Sequence, residues 1–260
     1  MISLYTFYRS PSEERSLVLL HAFPLSSEMW EKSAALISTI APNYSIVLAD
    51  FPGFGHAPLN TSWTLNEAMA DLHQKVNAQG IFKPLIGGLS MGGYAAFSYY
   101  RLYPADVSAL ILSNTKPAAD SDEGKKDREE FARDVEMRGV DAVYERMLPK
   151  LISETSKAGN PLLLPTLKKW IGSSTADAIA ACLRTLAARD DSDDLLGKIS
   201  CPTLAITGEH DAIIPSEEMG KFSEKIRRSQ FVQLTGAGHL SAVEDPEAWA
   251  NAVGTFLNTL

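Results

Sequence analysis

Short apolar runs alternating with longer stretches of helical periodicity constrain this 260-residue chain more than any other feature. Runs at 17–21, 45–50, 84–89, 109–113, 203–207 and 231–234 are rich in Leu, Ile and Val, as suits strands covered on both faces. Helical patterns fall at 28–40, 64–77, 92–103 and 246–257. Thr64 and Glu67 have capping-box spacing at the start of the second, and Pro104 stops the third. Alternation of this kind predicts a mostly parallel, doubly wound α/β sheet joined by right-handed crossovers.

The rhythm breaks after residue 113. From 120 to 154, 18 of 35 residues are charged, against 56 of 260 overall. Phe131, Val135, Val143, Met147 and Leu151 punctuate those charges at roughly helical spacing, and helical patterns follow at 162–171 and 175–188. So much helical sequence between two sheet strands is too long for a loop. The expected organisation is a core in two parts, 1–115 and 198–260, with a helical cap over 116–197. An ordinary crossover carrying extra helices is the alternative.

A net charge of −8 and the absence of a basic stripe argue against a nucleic-acid partner, because phosphate neutralisation needs the opposite bias. Cys182 and Cys201 are the only cysteines, too few for a disulfide framework and consistent with a reducing compartment. The opening residues are too short and interrupted for a signal-peptide core. No run approaches eighteen apolar residues, so no membrane span is expected. The expectation is a soluble, cytoplasmic protein of open oligomeric state.

Gly88-Leu89-Ser90-Met91-Gly92 joins the apolar run at 84–89 to the helical pattern at 92–103. The bare pattern arises by chance about 0.1 times in a chain of this composition; its location is what makes it specific. A sharp strand-to-helix turn strains its middle residue and lifts the hydroxyl above the sheet. Flanking glycines are required because side chains there would strike the neighbouring strand or helix. A hydroxyl at its free pKa is a poor nucleophile, so Ser90 needs a base, and the base needs an orienting acid. His239, in Thr-Gly-Ala-Gly-His after the last apolar run, is the candidate base. Asp211, on the loop after 203–207, is the candidate acid, with Glu209 as fallback. The order Ser90, Asp211, His239 is the one that accompanies such an elbow. The amides of Phe23, in His21-Ala22-Phe23-Pro24, and of Met91 are the candidate oxyanion donors. His21 reads as a structural brace for that loop, and His73 as a helix-surface residue.

With those residues in place the chain resembles the α/β-hydrolases over nearly its full length. Asp50-Phe51-Pro52-Gly53-Phe54-Gly55-His56 is similar to a structural turn common in that family. One position departs: the family usually has His-Gly before the oxyanion residue, and this chain has His21-Ala22. A left-handed conformation there would cost alanine about 1 kcal/mol or more, so a β-like or shifted loop is expected.

The elbow and single cap look most like small carboxylesterases, enol-lactonases of the 3-oxoadipate type and cofactor-free haloperoxidase/perhydrolases. That resemblance implies an acyl-enzyme hydrolase of a small ester or lactone; Phe23, Leu25, Trp30 and Met91 read as apolar pocket walls, with ordinary core packing as the alternative. No metal cluster or dinucleotide glycine pattern appears, so neither metal nor cofactor is implied. A lyase or C–C bond hydrolase on the same three side chains is the alternative. It would call on basic cap residues such as Arg128, Arg133, Arg138 or Arg146. A non-catalytic binding protein on the same scaffold is the third possibility.

Overall fold

The computed structural model describes residues 1–12 and 15–260. Its strands are β1 (Ser3–Tyr8), β2 (Arg15–Leu20), β3 (Tyr44–Asp50), β4 (Leu85–Leu89), β5 (Ala109–Ser113), β6 (Thr203–Gly208) and β7 (Ser229–Leu234). They form one sheet in the order β1-β3-β2-β4-β5-β6-β7. Every neighbouring pair is parallel except β1 with β3. β3, β4, β5 and β6 are buried along their whole length, which accounts for their unbroken apolar runs. β1 was not among the expected strands. It is an antiparallel edge strand, only half-buried, so its sequence carries no continuous apolar run.

The helices of the sheet domain follow the expected pattern closely. They are α1 (Glu31–Ile40), entered through a 3-10 turn over Ser27–Trp30, then α2 (Leu65–Ala78) and α3 (Met91–Leu102). Thr64 and Glu67 form the anticipated capping box at the start of α2. Between β5 and β6 the chain runs through α4 (Asp122–Arg138), α5 (Val140–Arg146), α6 (Leu148–Leu151), α7 (Glu154–Gly159), α8 (Leu163–Gly172) and α9 (Ala176–Ala187). Three more helices close the fold: α10 (Ser216–Ser223), α11 (Ser241–Glu244) and α12 (Pro246–Leu257). α1 packs on α12, with Trp30 and Trp249 rings 5.0 Å apart, and α2 packs on α3. Among the described residues no helix is long and apolar enough to cross a membrane.

From β2 the chain steps one way to β3 and then back past β2 to β4. The winding therefore reverses between β2 and β4, and crevices for ligands open above the carboxyl ends of strands at such a point. Leu20 and Gly88 are partners in that pair, so the His21–Pro24 loop and Ser90 emerge side by side.

Candidate active site

Ser90 sits between β4 and α3 with φ 56° and ψ −110°, a region non-glycine residues occupy only where surrounding structure holds them. Here the holding is explicit. Its amide donates to the Ser113 carbonyl at 2.9 Å, and its carbonyl accepts the Thr115 hydroxyl at 2.9 Å and the Gly93 amide at 2.9 Å. The glycines permit the approach: a Cβ on Gly88 would lie 2.1 Å from the Gly92 backbone, and one on Gly92 would lie 2.0 Å from the Leu20 carbonyl oxygen.

His239 follows β7 on the Gly236–Gly238 loop, and its Nδ1 lies 2.9 Å from each Asp211 carboxylate oxygen. Asp211 Oδ1 also accepts the amides of Ile213 (2.8 Å) and Ile214 (2.9 Å), and Oδ2 accepts the Asn114 side-chain amide at 2.9 Å. Burial pushes the Asp211 carboxyl up; the His239 ring, the Ile214 amide and Asn114 outweigh it, and its pKa falls below the ordinary value. An imidazole whose Nδ1–H faces an ionised carboxylate keeps a basic Nε2. Glu209 is engaged elsewhere, accepting the Gly236 amide at 2.9 Å.

Ser90, His239, Phe23 and Met91 all line one cavity of about 320 Å³. Met91 is the first residue of α3, so its N–H has no acceptor within the helix. Among the described residues no protein acceptor takes the Phe23 or Met91 amide. Ala22 has no positive φ, which resolves the departure noted in the sequence: the loop turns without needing glycine there. His21 explains part of its shape. Fully buried, it accepts the Phe51 amide at 3.1 Å on Nε2 and faces the Ala22 carbonyl at 3.0 Å with Nδ1, and burial lowers its pKa.

Leu25 and Trp30, expected as pocket walls, do not line this cavity. Both are fully buried, and Trp30 packs against Trp249 of α12 with the rings tilted by 45°; they belong to the core. The walls are instead Tyr94 from α3, Phe131 and Met147 from the inserted helices, Leu186 from α9 and Ile213 from the Asp211 loop. Of the four arginines singled out in the sequence, Arg128 and Arg146 reach the cavity. Arg133 and Arg138 pair with Glu129, Asp134 and Glu145 on the surface. Lys150 lines the cavity too, and among the described residues no carboxylate pairs with it. Asn114, not anticipated at all, carries a positive φ of 44° and is fully buried beside Asp211. The one signal for it was an asparagine directly after a buried strand, at the sheet edge where the site gathers.

An elbow this tight, at the reversal point of a sheet wound both ways, places the protein among the α/β-hydrolases as a class. The comparisons agree. The chain belongs to the alpha/beta hydrolase fold family, whose model matches residues 15–246. A 3-oxoadipate enol-lactonase of Acinetobacter baylyi is 24% identical over 250 residues, covering 96% of this chain and 91% of that one. A pimeloyl-[acyl-carrier protein] methyl ester esterase of Legionella pneumophila is 26% identical over 248 residues, with 93% and 94% covered. Among solved structures, a thermophilic esterase from Thermogutta terrifontis superposes with a TM-score of 0.93 at 33% identity, covering 99% of this chain and 93% of that one.

Proposed function

We propose that the protein hydrolyses small carboxylic esters or lactones through an acyl-enzyme on Ser90. The observation that carries this reading is the Asp211-held His239 imidazole lining the same cavity as the elbow hydroxyl. Ser90 Oγ attacks the carbonyl while His239 Nε2 takes its proton. The amides of Phe23 and Met91 hold the resulting oxyanion, each donor of this kind being worth about 3–4 kcal/mol in the transition state. The bond to the alkoxide then breaks, and His239 returns the proton to the leaving oxygen. A water deprotonated by His239 adds to the acyl carbon and releases the acid, regenerating Ser90. The inserted helices act as a cap that supplies the walls. The esterase and enol-lactonase relatives support ester or lactone bonds as the target.

Arg128, Arg146 and Lys150 outnumber Asp120 and Asp127 in the cavity lining, giving it a cationic rim in a chain of net charge −8. A substrate bearing a negative group away from its reacting carbonyl suits that rim. The same rim favours a second reading, C–C bond hydrolysis of an anionic substrate by the same side chains.

The test is turnover of 4-nitrophenyl acetate, a panel of small lactones and β-diketones by wild type and Ser90→Ala. Ester or lactone turnover lost on substitution, with thermal unfolding unchanged, is the expected result. Undiminished turnover in the variant overturns the assignment, and activity confined to β-diketones selects the second reading.

A further inference from the structure

Behind the Asp211–His239 pair lies a polar arrangement that the acyl-transfer scheme does not use. Asn114, at the carboxyl end of β5, is fully buried. Its Nδ2 donates to Asp211 Oδ2 at 2.9 Å and to the carbonyl of Gly238, the residue before His239, at 3.2 Å. Its Oδ1 accepts the Ser241 hydroxyl at 2.5 Å. Its own amide donates to the Ile206 carbonyl of β6 at 2.8 Å.

The side-chain orientation follows from those partners. Rotated by half a turn, the amide oxygen would face a carboxylate and a carbonyl, both acceptors. The Ser241 hydroxyl, donating to Oδ1, further favours the observed setting. One planar group thus spans two loops that are distant in sequence, the one bearing Asp211 and the one bearing His239. The backbone is specialised as well. At φ 44° asparagine and aspartate are tolerated far better than branched or bulky residues.

Resting on the proposed acyl-enzyme reading, we infer that Asn114 is a positioning residue for the reaction: it fixes the Asp211 carboxylate and the His239 loop relative to each other, with Ser241 setting its amide. It never touches the substrate. The Ile213 and Ile214 amides hold only Oδ1, so Asn114 is the neutral donor on Oδ2, the oxygen otherwise left to His239. Without it the carboxylate can swing about the Oδ1 anchor. Negative charge also concentrates toward the imidazole, which stabilises the protonated ring and leaves less of the free base at a given pH.

Two variants that the backbone accepts make the test. Asn114→Gly removes the amide without straining the backbone at this positive φ. Asn114→Asp keeps the shape and, while the new carboxyl is protonated, one of the two donations. Two carboxyls this close share a proton. Other ionisable groups facing the pair are few. Tyr94 feels Asp211 across the cavity, Glu244 accepts the Gly238 amide, and Glu209 accepts the Gly236 amide; none changes in either variant.

The experiment measures kcat and KM against pH with 4-nitrophenyl acetate, beside wild type and Ser90→Ala, with thermal unfolding of each. The expected result for Asn114→Gly is kcat lowered about tenfold or more, KM within about twofold, and the acid limb of the profile moved to higher pH. Asn114→Asp should recover part of the loss at its optimum and show an added decline on the alkaline side, where the shared proton leaves. A role in packing alone would scale the profile without reshaping it. Both variants retaining the wild-type profile, with Ser90→Ala inactive, overturns this inference and leaves the acyl-enzyme reading standing. Activity surviving in Ser90→Ala overturns both. Should Asn114→Gly fail to fold, the alkaline decline in Asn114→Asp decides alone.

Discussion

The guanidinium of Arg189, at the exit of α9, lies 2.8 Å from the carboxylate of Asp120, just ahead of α4, with side chains 2% and 8% exposed. Asp120 also accepts Arg128 Nε from α4, and the Arg189 guanidinium carbon lies 4.3 Å from the Tyr94 ring centroid in the cavity wall. The two ends of the inserted helices are thus tied to each other and to the wall of the cavity. Removing one member of a buried ion pair costs about 3–5 kcal/mol, because the partner charge is left without compensation. Asp120→Asn should therefore lower the midpoint of thermal unfolding by on the order of 10 °C. A shift within 2 or 3 °C, as for an exposed pair, would show that the pair is not held as described.

The same carboxylate gives a pH signature. Burial works against ionisation of Asp120, but hydrogen bonds and charge from Arg189 and Arg128 overcome it and bring its pKa from 3.8 to about 2. A folded-state pKa below the unfolded one stabilises the protein above the unfolded value, and that stability is lost as pH falls through the folded one. The contribution is about 2 kcal/mol, complete near pH 5 and disappearing between roughly pH 4 and pH 2. Urea unfolding of wild type and Asp120→Asn at pH 5, 4 and 3 reads it. The gap between the two proteins should narrow as pH falls; a constant gap contradicts the linkage.

Ala22 offers a test whose sign is the point. Because its φ is not positive, glycine gains nothing there and loses both the conformational restriction alanine imposes on the unfolded chain and the packing of a fully buried methyl group. Ala22→Gly should destabilise by about 1–2 kcal/mol, with kcat for a 4-nitrophenyl ester within about twofold of wild type. Stabilisation by the glycine would mean that the loop before Phe23 is left-handed after all.

The elbow was legible because its constraint is local: two glycines flank Ser90 for reasons of close approach that any sequence-level account of a strand-to-helix turn supplies. His239 and Asp211 were legible because each follows an apolar run, and runs end at the edge where the sheet presents its loops. Leu25 and Trp30 were misplaced since an apolar residue near a site looks the same in sequence whether it faces a cavity or Trp249. Asn114 escaped notice because its role depends on three partners, Asp211, Gly238 and Ser241, that only the folded sheet assembles. The cavity walls from the inserted helices were equally hidden. In a segment as charged as 120–154, helical periodicity says which face is apolar but not which charges turn inward.

Two exposed charges that reach the cavity carry the last prediction. Arg146 lies 4.8 Å from the Phe131 ring centroid, with Asp127 at 4.0 Å as a weak counter-charge. Lys150 has no ion-pair partner among the described residues. An ester whose acyl chain ends in a carboxylate would meet two cations beside the cavity, whereas its neutral methyl-capped analogue would meet none of that attraction. The double variant Arg146→Gln, Lys150→Gln should lower kcat/KM for a carboxylate-bearing monoester by about fivefold, from roughly 1 kcal/mol of charge interaction at a partly exposed site. The neutral diester should change by less than twofold. Added salt should depress the wild-type preference as the variant does, since exposed charges are screened over about 10 Å at 0.1 M. Equal losses on both esters would assign the two side chains to packing of the cap rather than to substrate charge.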